Sequence, residues 1–149
     1  MRLMILRQSG WRVVAEVTDG GECPMDQQLV LWMSDAKHGA SATGFGALWD
    51  RIPKTGPKAL GTALYHLVND KHEIYEFVKG DLRLFCFEAN NAVVVCSHLI
   101  RKRTQKTKIK DIASTIALKK RYLAAEKANN IKIATRKEIK SCGRSLSTK

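Results

Sequence analysis

Thirteen residues from His98 to Lys110, His-Leu-Ile-Arg-Lys-Arg-Thr-Gln-Lys-Thr-Lys-Ile-Lys, hold six cations and one histidine with no acid among them. An imidazole exchanges protons near neutral pH, and fixed cations stabilise the charge that builds on a phosphate under attack. The combination suits binding and cleaving a phosphodiester. A solvated basic loop with no chemistry is the competing reading. The residues before the run favour chemistry. A turn at Asn90-Asn91 is predicted to set Arg83 opposite His98, Phe85 opposite Cys96 and Phe87 opposite Val94, all on one face of a hairpin. Arg83 and His98 would then stand roughly 5 Å apart at Cβ, with Lys102 and Lys106 closing a cage around one phosphate.

Such a cage can cleave RNA without a metal. The ribose 2′-hydroxyl attacks phosphorus, a base takes its proton, an acid protonates the leaving oxygen, and cations stabilise the transition state. His98 is the natural proton carrier and Arg83 the bidentate phosphate ligand, with Lys102 and Lys106 as the remaining catalytic cations. Arg101, Arg103, Gln105, Lys108 and Lys110 are expected along the RNA backbone. The plainer roles are a strand-end histidine capping a backbone group and an arginine on a solvated strand face.

Other chemistry-bearing residues are less convergent. His38 is expected at a helix end, His66 on a helix beside Leu67 and His72 at the start of a strand. Glu73 and Glu76 alternate with Ile74 and Phe77 as the polar side of a strand. No acid cluster has metal spacing, and Gly56-Pro-Lys-Ala-Leu-Gly61 lacks the Lys-Ser/Thr of a phosphate loop, so neither metal nor cofactor is expected. The four cysteines, Cys23, Cys86, Cys96 and Cys142, include no C-x-x-C pair and read as reduced thiols.

The elements that must position these residues follow from periodicity and turn chemistry. A strand is predicted over 11–18, a helix from Met25 to about His38, and a short helix or ordered loop within 41–56. A second helix is predicted over Pro57–Val68. Strands over 72–78, 82–87 and 92–99 form an antiparallel meander. A last helix spans Asp111–Ala128, with Thr107 as N-cap and Ile109, Ile112, Ala113, Ile116 and Leu123 as its apolar stripe. Residues 1–128 are read as one α+β domain and 129–149 as a basic, mobile tail.

Charge is distributed unevenly. Residues 101–149 carry 16 Lys/Arg against three acids, and the first 100 residues carry ten against eleven. The excess points to a polyanion, and the absence of Trp and Phe from the last third favours nucleic acid over a membrane surface. The opening Met-Arg-Leu-Met-Ile-Leu is too short for a signal-peptide core, so a cytoplasmic location is expected.

The ordered series Ile74-Tyr75-Glu76-Phe77, Lys79-Gly80-Asp81-Leu82-Arg83-Leu84-Phe85, Val93-Val94-Val95 to His98, and Lys102-Arg103-Thr104-Gln105-Lys106-Thr107 resembles the HigB-like branch of the RelE toxins. It continues through Asp111-Ile112 and Lys119-Lys120-Arg121-Tyr122, and covers about residues 57–124. Leu99-Ile100 stand where the family usually has glycine-phenylalanine, Arg103 replaces a lysine, and Lys108 replaces a proline. The resemblance implies a RelE-like microbial RNase fold, with a central antiparallel sheet, N-terminal helices and a C-terminal helix. It also implies an endoribonuclease toxin that cuts mRNA in the 30S decoding site of the ribosome, held inactive by a helix-turn-helix antitoxin. A non-catalytic nucleic-acid-binding regulator on the same fold is the alternative.

Overall fold

Strand-forming sequence begins earlier than 11–18. Residues Arg2–Gln8 bury Leu3, Met4 and Leu6 and form β1 of the computed structural model, which describes residues 1–102 and 109–140. β2 (Arg12–Val17) folds back on it as a hairpin. The turn brings Gly10 so close to Pro53 that a Cβ there would lie 2.2 Å from the proline carbonyl carbon, so only glycine fits. The remaining strands are β3 (Tyr65–Asn69), β4 (Ile74–Lys79), β5 (Leu82–Ala89), β6 (Val93–Arg101) and β7 (Lys132–Ala134). Among the described residues they make one sheet in the order β3-β4-β5-β6-β2-β1-β7.

The architecture is mixed α+β, and the sheet is mixed rather than antiparallel throughout. β4 to β6 form the expected meander, β3 extends it by an antiparallel strand that was not expected, and β2 runs parallel to β6 and β1 parallel to β7. The reason is connection length. Two helices separate β2 from the meander, and a connection that long allows parallel neighbours. These are α1 (Pro24–Met33) and α2 (Gly39–Asp50). They cover the sheet face lined by Met4, Leu6, Val13, Leu84, Val94 and Leu99 through Leu29, Phe45 and Trp49. α1 stops before His38 because the Asp35 carboxylate takes the backbone N–H groups of Lys37 and His38 (3.0 and 2.8 Å), making a turn instead of a further helical one.

The second predicted helix is corrected. Only Pro57–Leu60 is helical, as a 3-10 turn that ends at Gly61 with φ +92°. Tyr65 then enters β3, stacked on Tyr75 of β4 at 4.8 Å. Burial of that aromatic pair, rather than local helix propensity, decides the conformation.

α3 (Ile109–Lys127) lies on the other face, over Phe87, Val93 and Val95. Its orientation also differs from expectation. The buried side is Asp111, Thr115, Leu118 and Tyr122, whereas Ile109 is 86% and Leu123 48% exposed. The helix is thus turned roughly 100°, one residue's rotation, from the isoleucine stripe. Tyr122 packing edge-on against Phe87 (5.5 Å) and Asp111 reaching His98 fix this rotation. The expected N-cap, Thr107, lies outside the described residues.

The beginning of the expected tail is structured. Asn129 (φ +56°) turns the chain into β7, the N-terminal ammonium donates to the Asn130 carbonyl (2.7 Å), and residues 136–140 are helical. Thr135 and Glu138 cap that turn reciprocally: Glu138 N–H donates to Thr135 Oγ1 (3.2 Å), and Thr135 N–H donates to Glu138 Oε1 (3.0 Å). Ile139 is buried. No helix among the described residues is long and apolar enough to cross a membrane.

Candidate functional site

The β5–β6 hairpin carries the predicted site, but in a different register. Its loop has three residues between Ala89 and Val93, with Asn91 and Ala92 at φ +67° and +59°, and a bulge follows at Ser97. Phe85 therefore pairs with His98, and Arg83 with Ile100. The expected Arg83–His98 pair becomes a diagonal one on the same face, a spacing of roughly 7–8 Å between Cα atoms in a regular sheet. The bulge escaped the sequence reading because nothing in Val-Cys-Ser-His marks an extra residue.

His98 is held on every side. Its Nε2 lies 3.0 Å from Oδ1 of Asp111, its Nδ1 lies 2.9 Å from the Ser97 hydroxyl, and its ring stacks on Phe85 at 5.1 Å. The side chain of Asp111 is 8% exposed and that of His98 25%. The strand beneath is fixed from the opposite face. β2 accompanies β6 only as far as Cys96, and beyond it the Gln28 carboxamide takes over the ladder. Its Nε2 donates to the Leu99 carbonyl (2.6 Å), while its Oε1 accepts from the Leu99 N–H (2.8 Å). Where β6 ends, the Lys102 N–H donates to the Asp81 carbonyl (2.8 Å).

Arg83 is anchored rather than freely solvated. Its Nη1 donates to the carbonyls of Gly80 (2.7 Å) and Leu82 (3.0 Å), and its Nε lies 3.7 Å from Glu76 Oε1. Glu76 is 1% exposed and also meets His66 Nε2 at 2.9 Å, while His66 Nδ1 faces the Thr62 carbonyl at 2.9 Å. β3, β4, β5 and β6 thus place His66, Glu76, Phe85 and His98 in one cross-strand row, with Arg83 beside it. From sequence, Glu76 is expected on a polar strand face and His66 on a helix. Once His66 is in a strand, both join the same cluster.

No protein-family model matches the chain, and no curated protein matches it.

The other expected site residues divide into three groups. Lys102 follows the end of β6 and is partly exposed, and Lys110 is exposed on the first turn of α3. These two positions flank the basic segment, so its described ends adjoin the strand of His98 and the helix of Asp111. Arg101 pairs with the buried Leu82, which places it on the opposite sheet face from His98. Lys106, Arg103, Gln105 and Lys108 lie outside the described residues. Asp111, Gln28 and Ser97 were not singled out from sequence as site residues. Asp111 left the clearest sign, being the only acid between residues 101 and 125.

Cys86 and Cys96 face one another across β5 and β6, and burial pushes both thiols well above their ordinary range. Neither is a thiolate nucleophile at neutral pH. Among the described residues, no group of three or more His, Cys, Asp or Glu is placed to hold a metal ion.

Proposed function

We propose that the chain is an endoribonuclease that cleaves RNA by transesterification, with His98 moving the proton and Arg83 and Lys102 bearing on the phosphate. The observation that carries this reading is the hydrogen bond of a buried carboxylate, Asp111, to a partly exposed histidine at the end of the strand that leads into the basic run. A carboxylate placed there fixes the imidazole's orientation and tautomer and stabilises the imidazolium as it forms. In the same scheme Lys106 joins Lys102 as a catalytic cation and Arg103, Gln105, Lys108 and Lys110 supply RNA-backbone contacts, whereas Arg101 lies on the opposite sheet face. The resemblance to HigB-like toxins extends the proposal to mRNA in the ribosomal decoding site and to a small helix-turn-helix antitoxin as partner.

A second reading, a nucleic-acid-binding protein without catalysis, is favoured by one observation. Both imidazole nitrogens and Nη1 of the Arg83 guanidinium are engaged within the protein. The two readings separate in cells. Induced expression of the nuclease should arrest growth and create new mRNA 5′ ends within translated codons. Unchanged 5′ ends, with RNA still bound in pull-down, would leave the binding protein in its place.

A further inference from the structure

His98 has two nitrogens, and the protein occupies both. An ionised carboxylate only accepts hydrogen bonds, so Asp111 at 3.0 Å requires the proton on Nε2. Nδ1 then carries the lone pair, and the Ser97 hydroxyl at 2.9 Å donates to it. The ring cannot turn away cheaply, since it is stacked on Phe85 at 5.1 Å with 25° between planes. Asp111 is buried on α3, and its backbone carbonyl accepts from Thr115 Oγ1 at 3.0 Å. Ser97 is different. It is the extra residue of the bulge and lines a cavity of about 150 Å³ with Ser114, Leu118 and Arg121. Among the described residues, two arginines that share the face are paired: Arg83 of β5 with Glu76 of β4, and Arg121 of α3 with Glu16 of β2 at 2.6 Å, while Lys119 of α3 donates to the His72 carbonyl at 2.6 Å.

We propose that His98 exchanges its proton at Nδ1 through the Ser97 hydroxyl, while Asp111 is the positioning residue that holds Nε2–H. This rests on the nuclease reading and names its proton path. The 2′-hydroxyl gives its proton to Ser97 Oγ as the proton of Ser97 passes to Nδ1. The O2′–P bond forms and the P–O5′ bond breaks, its electron pair remaining on O5′, which takes a proton from solvent water. The resulting hydroxide removes the proton from Nδ1. The products are a 2′,3′-cyclic phosphate and a 5′-hydroxyl. Serine is the carrier because its hydroxyl both donates and accepts, and Ser97, the extra residue of the bulge, lines the cavity while bonding to Nδ1.

The test combines a spectrum with kinetics on the full chain. Long-range ¹H–¹⁵N spectra of histidine-labelled protein should show neutral His98 protonated at Nε2, and Asp111→Ala should relax that preference. Protonation at Nδ1 in the wild type, or an unchanged tautomer in a folded Asp111→Ala, would overturn the assignment. In cleavage of a short oligoribonucleotide, with ribosomes present, Ser97→Ala should lower kcat on the order of 10²-fold with KM unchanged. Ser97→Thr, which keeps the hydroxyl, should restore most of it. If the wild type cleaves and Ser97→Ala cleaves equally well, the relay is wrong and the nuclease reading stands. If the wild type does not cleave at all, the nuclease reading fails and the relay falls with it. Should Asp111→Ala not fold, the wild-type tautomer and the Ser97 pair still decide.

Discussion

At the scale of single residues, Arg83 has two tasks that its position in the sequence does not separate. It faces the side of the sheet that carries His98, and its guanidinium also ties the β4–β5 turn to the buried Glu76. A strand-end arginine expected to contribute only a phosphate contact therefore also compensates a buried charge. Arg83→Ala should lower stability by about 1–3 kcal/mol, the usual cost of stranding a buried polar partner, with His66 limiting the loss. Urea unfolding of the variant beside wild type measures it. An unchanged midpoint would mean that Glu76 and the turn carbonyls do not depend on the guanidinium. Loss of activity in this variant then has to be compared with its folded fraction, whereas a milder change such as Ser97→Ala leaves the ion pair intact.

At the scale of elements, the meander and the last helix were legible because their signals are local. Gly80 and the Asn90-Asn91 pair mark the turns, and apolar alternation marks the strands between them. β3 was not legible, since Leu60, Leu64, Leu67 and Val68 also fit a helix, and only the stacking of Tyr65 on Tyr75 selects the strand. β7 is three residues long and exists because β1 offers it an edge. For the site, sequence supplied His98 and Arg83 but not the register between them, which depends on a bulge. It could not show Gln28 reaching Leu99 across 71 positions of chain. The rotation of α3 has a measurable consequence for stability. Leu118→Ala should cost about 2–5 kcal/mol, because that side chain is buried against the sheet. Leu123→Ala should stay within about 0.5 kcal/mol, as for an exposed position. The reverse order in thermal or urea unfolding would restore the isoleucine-side orientation.

At the scale of the whole molecule, charge and fold divide the labour. The first 100 residues contribute most of the sheet and nearly all of its core, and they are close to neutral. The positive excess begins where β6 ends. α1 and α2 brace one face of the sheet, and the other carries the His66, Glu76, Phe85 and His98 row, whose His98 end meets Asp111 in the first turn of α3. Concentrating the positive excess outside the segment that builds most of the core avoids burying unpaired charge, which is costly. It also sets the partly exposed, Asp111-bound imidazole of His98 at the boundary between the neutral body and the basic run.

The central claim, that this boundary cleaves RNA, is tested most directly by single-turnover cleavage of a labelled oligoribonucleotide by the purified protein. The assay is run with and without ribosomes and with a chelator present, and both new ends are identified chemically. The expected result is a 2′,3′-cyclic phosphate and a 5′-hydroxyl at the cut, with the rate falling by about 10²–10⁴ in His98→Gln. No cleavage under either condition, or an undiminished rate in a folded His98→Gln, would contradict it.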